Sequence, residues 1–158
     1  LARVMEPRAA APHRRLEVIR NLSNAGVPVS VLVAPVIPVL TDGEMESILK
    51  AAREAGAGAA GYVLLRLPHE LKEMFEAWLN AHRPDMAQHV LNRLRDTRGG
   101  ELYVSAFGER MRGRGEYAEL LAKRFDIALR KLGFNEDFPE LDCSQFTPPR
   151  LTPQLDLF

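Results

Sequence analysis

Cysteine is nearly absent from this sequence, since Cys143 is the single one among 158 residues. One thiol cannot form an internal disulfide, and it cannot build a multi-cysteine metal or iron–sulfur site. The sequence also lacks a run of 18 or more apolar residues and any segment that resembles a signal peptide. We therefore expect a cytoplasmic protein with no membrane partner.

An excess of charge of either sign is also missing, because 21 basic residues balance 21 acidic ones. Net charge therefore neither favours nor excludes a nucleic-acid partner, and any binding signal must be local. The hydrophobic content of 46% is enough to bury a core of single-domain size.

The first part of the chain alternates between helix and strand patterns. Residues 13–25 have helical spacing, and residues 27–35 form an apolar, β-branched run typical of a strand buried on both faces. A capping-box spacing begins at Thr41, and Gly56 suits the end of the helix that follows. Residues 59–67 are predicted to form a second buried strand. This order predicts parallel strands joined by right-handed crossovers.

Two parallel strands do not make a stable open sheet with both faces covered. The first residue is Leu1 rather than methionine, and no strand pattern precedes residue 12. We therefore expect further strands before Leu1, and we interpret the chain as the carboxy-terminal part of a longer α/β protein.

The pattern becomes helical beyond Pro68. Helices are expected at residues 71–79, 84–95 and 116–132, the last closed by Gly133. Residues 135–158 are polar and rich in proline, and they are expected to be disordered. This predicts three parts: β/α units at 1–68, a helical extension at 69–134 and a flexible tail at 135–158.

The ends of the two predicted strands are the places to look for a binding site, since ligands of parallel α/β folds sit there. The first end, residues 34–42, offers apolar side chains as a flat wall for an aromatic ring. The second carries Arg66, whose guanidinium suits a carboxylate or a phosphate. The alternatives are that the prolines simply end the strand and that Arg66 is a structural ion-pair partner.

Three blocks of sequence, at residues 1–8, 33–38 and 61–68, resemble the radical S-adenosylmethionine proteins related to spore photoproduct lyase, often labelled DNA repair photolyases. The resemblance covers residues 1–133. It implies the carboxy-terminal fragment of a partial (β/α)6 TIM-like barrel, its last two to three strands followed by a helical extension. It also implies two cofactors, S-adenosylmethionine and a four-iron four-sulfur cluster. The CxxxCxxC cluster loop of that superfamily is missing here and is expected before Leu1.

The implied activity is reduction of S-adenosylmethionine to a 5′-deoxyadenosyl radical that abstracts hydrogen from a substrate, with DNA repair as one role. By itself, the present chain is expected to be inactive. The resemblance places cofactor contacts at Ala34, Pro35, Ile37, Pro38, Leu65, Arg66 and Leu67. Of the superfamily pattern G-x-I-x-G-x-x-E, which falls on Pro35, Ile37, Val39 and Asp42, only Ile37 is kept. Glu6 and Arg8 lie where the family holds polar groups of substrate or cofactor, and a local salt bridge is an equal alternative.

A glycine-rich stretch between the predicted helices carries candidate nucleic-acid contacts. The candidates are Arg98, Arg110, Arg112 and Arg114. The alternative is a solvated arginine-rich surface diluted by acidic residues. Tyr103 and Phe107 are expected to pack on the fold rather than to stack on bases.

The last five residues resemble the pentapeptide that docks repair enzymes and polymerases on the bacterial sliding clamp. They are Gln154, Leu155, Asp156, Leu157 and Phe158. The alternative is that their apolar side chains fold back onto the domain. Three hypotheses follow: a radical S-adenosylmethionine enzyme acting on nucleic acid, a non-catalytic module that binds nucleic acid or the clamp, and an α/β interaction domain without a ligand.

Overall fold

The structure is a computed structural model that describes residues 1–136, 139–140, 142–144 and 146–147. Its elements in chain order are α1 (Ala2–Met5), α2 (Pro12–Asn24), β1 (Ser30–Val36), a 3₁₀ turn (Asp42–Glu44), α3 (Met45–Glu54), β2 (Ala59–Leu64), α4 (Leu71–His82), α5 (Ala87–Asp96), α6 (Glu109–Arg112) and α7 (Glu116–Leu132).

The two strands pair in parallel, which places both of their carboxyl ends at one edge of the sheet. Ser30 lies opposite Ala59 and Val33 opposite Tyr62, and the register then shifts before Val36. Pro35 falls within this irregular step, where its missing N–H cannot contribute to the ladder.

The prediction that this chain is a fragment of a (β/α)6 barrel is wrong. The described residues form a mixed α/β unit with one two-stranded sheet, and those before α2 and after β2 form helices and loops instead of further strands. The strand β1 is also not covered on both faces, because Leu32 is 61% exposed. An apolar, β-branched run indicates that a segment forms a strand. It does not indicate whether the strand is buried, because burial depends on which neighbours cover each face.

One face of the sheet packs on α3 and α7. Helix α3 buries Met45, Leu49 and Ala52, whose spacing of four and three residues lines one side of a helix. From α7, Phe125 reaches the ring of Tyr62 with 4.7 Å between the ring centroids. Burial of such a side chain contributes about 1.5–3 kcal/mol, so α7 is an integral part of this core.

A second apolar cluster covers the carboxyl ends of the strands. It joins Ile37, which follows β1, and Leu65 and Leu67, which follow β2, to the inward faces of α4 and α5. The predicted parts 1–68 and 69–134 therefore share both clusters.

Thr41 does not cap a helix as the sequence pattern predicts. Its side chain makes no capping bond, and its Oγ1 instead accepts a 2.8 Å hydrogen bond from the N–H of Ile37. The carbonyl of Ile37 in turn accepts the N–H of Thr41 at 2.9 Å. These bonds close the turn that follows β1. The predicted end of α7 is confirmed, since Gly133 adopts the left-handed conformation at φ 65°.

Candidate anion-binding site

The carboxyl end of β2 is enclosed by the segments that follow α5. The N–H of Leu65 still donates to the carbonyl of Val36 at 3.0 Å, so Arg66 is held directly beyond the sheet. Gly113 lies against the other side of this strand end, with a φ of 76°. A Cβ atom at this position would stand 2.9 Å from Leu64 Cδ1 and 2.9 Å from the carbonyl oxygen of Thr97. Only glycine permits this approach without a shift of the backbone.

Arg98 is the buried charge of this site, with 1% of its surface exposed. Its Nη1 donates to the carbonyl of Glu109 at 2.6 Å, and its Nη2 donates to the carbonyl of Leu65 at 3.1 Å. Its Nε is buried and has no partner within the described structure. The guanidinium is thus held by backbone carbonyls and forms no ion pair with a carboxylate of the described residues.

Arg66 lies next to Arg98 and has only neutral partners. Its Nη2 approaches Tyr103 Oη at 3.4 Å, and its Nη1 approaches the sulfur of Met111 at 3.7 Å. A thioether is a weak acceptor, and both contacts are long. Its Nε is buried without a partner among the described residues. Half-buried as a whole, Arg66 keeps part of its side chain accessible to solvent.

The electrostatic surroundings are unfavourable for the charge on Arg98. Burial lowers the pKa of Arg98 from its ordinary value, and the neighbouring charge of Arg66 lowers it further, while Tyr103 and Glu109 act in the opposite direction. Burying a charge without an ionic partner is costly, so two such neighbouring cations identify a place where an anion is stabilised.

The rim of the site carries the other predicted arginines. Arg114 Nε lies 3.7 Å from a carboxylate oxygen of Glu109. Arg112 covers the ring of Tyr62, with 4.2 Å from Cζ to the centroid. Arg110 lies 5.5 Å from the ring centroid of Phe107. Of the four predicted nucleic-acid contacts, these three are accessible and Arg98 is enclosed.

Phe107 does not pack on the fold as expected, because 91% of its surface is exposed. Tyr103, in contrast, is half-buried against Arg66.

The predicted cofactor contacts fall into two groups. Ala34 and Pro35 are exposed, and Arg66 is half-buried. The other four are buried at the ends of the strands, and three of them belong to the cluster beneath α4 and α5: Ile37, Pro38, Leu65 and Leu67.

The remaining predicted contacts lie away from this site or outside the described residues. Glu6 forms the local salt bridge that was the alternative, at 3.4 Å from Arg15, and Arg8 is exposed. The clamp-like pentapeptide, residues 154–158, lies outside the described part of the chain.

Sequence reasoning missed a polar network that joins the turn after β1 to α7. Tyr117 donates a 2.7 Å hydrogen bond to Asp42, and Arg124 binds Glu46 through two bonds of 2.8 Å. Arg124 also donates to the carbonyl of Asp42 at 2.9 Å. The partners are 75 to 82 residues apart, and no local pattern pairs them. The network anchors α7 against the turn that follows β1.

The described residues do not fit an iron–sulfur cluster or a bound metal ion. Among them no group of three or more histidine, cysteine, aspartate or glutamate side chains converges, and Cys143 is exposed. Within the same part of the chain, no helix has both the length and the apolar character needed to cross a membrane.

Comparison with known proteins gives relatives but no family. The chain is 32% identical over 126 residues to uncharacterized proteins of Mycobacterium bovis and of two strains of Mycobacterium tuberculosis. The match covers 78% of this chain and 35% of each relative, so the chain spans about a third of the length of the curated relatives it matches. No family model matches, and no solved structure matches.

Proposed function

We propose that this chain is one part of a larger radical S-adenosylmethionine enzyme and that it binds an anionic group of the substrate at the carboxyl end of β2. The observation that carries the binding role is the pair Arg66 and Arg98, two neighbouring guanidinium groups that form no ion pair with a carboxylate of the described residues. The resemblance of residues 1–8, 33–38 and 61–68 supports the enzyme class.

The position of the pair agrees with this role. Ligands of parallel α/β folds lie beyond the carboxyl ends of strands, where loops vary while the strands hold them rigidly. Arg66 follows β2 directly, and its long contacts with Tyr103 and Met111 are weak enough to be exchanged for a ligand.

The cofactors divide between this chain and the rest of the proposed enzyme. The chain has a single cysteine and so does not supply a three-cysteine CxxxCxxC loop, which leaves the cluster to other residues of the larger enzyme. For S-adenosylmethionine, the exposed Ala34 and Pro35 remain available as contacts, whereas Ile37 and Leu67 are already covered by helices. The cluster and S-adenosylmethionine supply radical chemistry to that enzyme class, and this chain contributes binding.

The test of the enzyme class is reductive cleavage of S-adenosylmethionine. The longest protein that contains this chain is prepared without oxygen, supplied with iron and sulfide, and reduced with dithionite. We expect iron–sulfur absorbance and release of 5′-deoxyadenosine. Absence of both would overturn the radical class, and it would leave the anion site to be judged by ligand binding.

A second candidate function is binding of single-stranded nucleic acid, and the exposed Phe107 favours it. An aromatic ring that is 91% exposed beside Arg110 is suited to stack on a base while the guanidinium meets a phosphate. Arg112 and Arg114 extend the positive surface. Docking on a sliding clamp through residues 154–158 is compatible with either function.

A further inference from the structure

The charge balance at the end of β2 suggests which anion the site takes. Arg66 and Arg98 lie at this end without an ion pair among the described residues, and the rim adds three more guanidinium groups, those of Arg110, Arg112 and Arg114. Glu109 brings the carboxylate that acts on Arg98. Glu109 is itself paired with Arg114 at 3.7 Å. Positive charge is therefore in excess at this end of the sheet, and it attracts a ligand with two negative charges more strongly than a monoanion.

Free hydrogen-bonding capacity is present at the same place. The two terminal nitrogens of Arg66 touch only a thioether and a phenol. Its Nε has no partner in the described structure but is buried, so the terminal nitrogens are the atoms that a ligand reaches. Tyr103 accepts from Arg66, which leaves the proton of its own hydroxyl for a ligand oxygen. A phosphate group presents three acceptor oxygens in the geometry that a guanidinium fork recognises.

The two arginines differ in what they can do for such a ligand. Arg98 is 1% exposed and is fixed by the carbonyls of Leu65 and Glu109, so it acts through its charge and does not move to the ligand. Arg66 is partly accessible and weakly held, so it makes the direct contact.

We propose that this site binds a phosphate group in its dianionic form, as inorganic phosphate or a phosphomonoester, through Arg66 and within the positive charge of Arg98. The proposal rests on the proposed anion-binding function and names the ligand class of that site. A phosphodiester carries one charge, so the backbone of a nucleic acid is a weaker ligand here than a terminal phosphate.

The experiment compares four anions by isothermal titration into the full chain at low ionic strength. The probes are inorganic phosphate, methyl phosphate, dimethyl phosphate and acetate. We expect the first two to bind about tenfold or more tightly than the last two, because one charge-assisted contact corresponds to roughly that factor. Methyl phosphate binding more tightly than inorganic phosphate assigns the site to a phosphomonoester, and the reverse assigns it to free phosphate.

Substitutions test whether the named arginines cause the preference for phosphate. Arg66→Met is expected to weaken phosphate binding by about tenfold or more, and Arg66→Lys is expected to lose less because it keeps the charge but not the fork. Arg20→Met, at an exposed arginine of α2, is the matched control and is expected to change nothing. Circular dichroism verifies that each variant is folded.

Arg98 is tested by the ratio of affinities for methyl phosphate and dimethyl phosphate, which a purely structural role would leave unchanged. We expect Arg98→Met to reduce this ratio and Arg98→Lys to retain it. The wild-type comparison decides the proposal even if Arg98→Met fails to fold.

The outcomes separate the preference for phosphate from the anion site itself. Equal affinity for all four anions would overturn the phosphate proposal and retain the anion site. No binding of any anion, or phosphate binding that both Arg66 variants leave unchanged, would overturn the anion site itself.

Discussion

Arg124 on α7 binds Glu46 on α3 through two hydrogen bonds of 2.8 Å, although 78 residues separate them along the chain. This fork of two bonds lowers the pKa of the Glu46 carboxyl from its ordinary value of 4.5, against the opposing effect of partial burial. It connects the helix before β2 to the helix that closes the core.

The pair predicts a dependence of stability on pH. Because the folded-state pKa of Glu46 lies below its unfolded value, its contribution is present above about pH 4.5 and is lost as the pH falls through the folded-state value. The difference in unfolding free energy between wild type and Glu46→Gln, measured with urea, should be about 1 kcal/mol or less at pH 7 because the pair is partly exposed, and it should shrink in acid. Glu54→Gln, on the same helix with a 3.9 Å partner, is the control and should show a smaller difference.

The hydroxyl of Tyr117 predicts a second pH effect at the opposite end of the scale. Burial and, next, the hydrogen bond to Asp42 raise the pKa of Tyr117 from 10.0 to about 12. Its contribution to stability is therefore present below pH 10.0 and is lost as the pH rises towards about 12.

Tyrosinate absorbance measures this shift directly. We expect a component near pH 12 that Tyr117→Phe removes and that Asp42→Asn lowers only part of the way, because burial is the larger cause and remains. A titration curve that Tyr117→Phe leaves unchanged in shape would contradict the assignment.

The close contacts around Gly113 predict that its replacement by alanine lowers the stability of the fold. Alanine there costs about 1–3 kcal/mol, because φ 76° with ψ −173° is a conformation almost restricted to glycine. It costs more for the contact of its Cβ with the carbonyl of Thr97 at 2.9 Å. Gly26 shares the positive φ, 77° against 76°, and has nothing within 4 Å of the built Cβ, so Gly26→Ala is the control for a positive-φ glycine without close neighbours. In urea unfolding Gly113→Ala should lose clearly more stability than Gly26→Ala. Equal losses would mean that the loop yields at Gly113.

Phe107 separates the second candidate function from the first. Phe107→Ala should change the unfolding free energy by no more than about 0.5 kcal/mol, since the ring packs on little of the fold. If the ring stacks on a base, the variant should bind single-stranded oligonucleotides roughly fivefold to a hundredfold more weakly in fluorescence anisotropy. Phe146→Ala, at an exposed phenylalanine beyond α7, is the control. Equal oligonucleotide affinity for wild type and both variants would remove Phe107 from any nucleic-acid interface.

The terminal pentapeptide, residues 154–158, predicts binding to a bacterial sliding clamp. Deletion of residues 154–158 should abolish binding to a bacterial sliding clamp in surface plasmon resonance, because the apolar side chains that enter its pockets are lost. A matched variant that replaces Gln154 alone with alanine should bind more weakly than wild type but better than the deletion. Clamp affinity that survives the deletion would exclude the motif.

Local periodicity was enough to predict most of the secondary structure. The helix predicted at residues 116–132 is α7 with the same bounds, and that predicted at 84–95 is α5 with a later start. The strand predicted at 59–67 ends at Leu64, because the residues beyond it turn towards α4 and α5 while remaining apolar. Caps and side-chain spacing act within a few residues, so a sequence pattern contains this information.

The sequence by itself also determined that Arg66 stands at the end of a strand, since strand residues and the prolines that follow them are local signals. Only the tertiary structure decided that Arg98, expected on a surface loop, is buried beside it, and that Tyr117 meets Asp42. The two arginines are 32 positions apart along the chain. Burial and electrostatic pairing depend on which distant segments pack together, and a pattern that extends over a few residues does not contain that information.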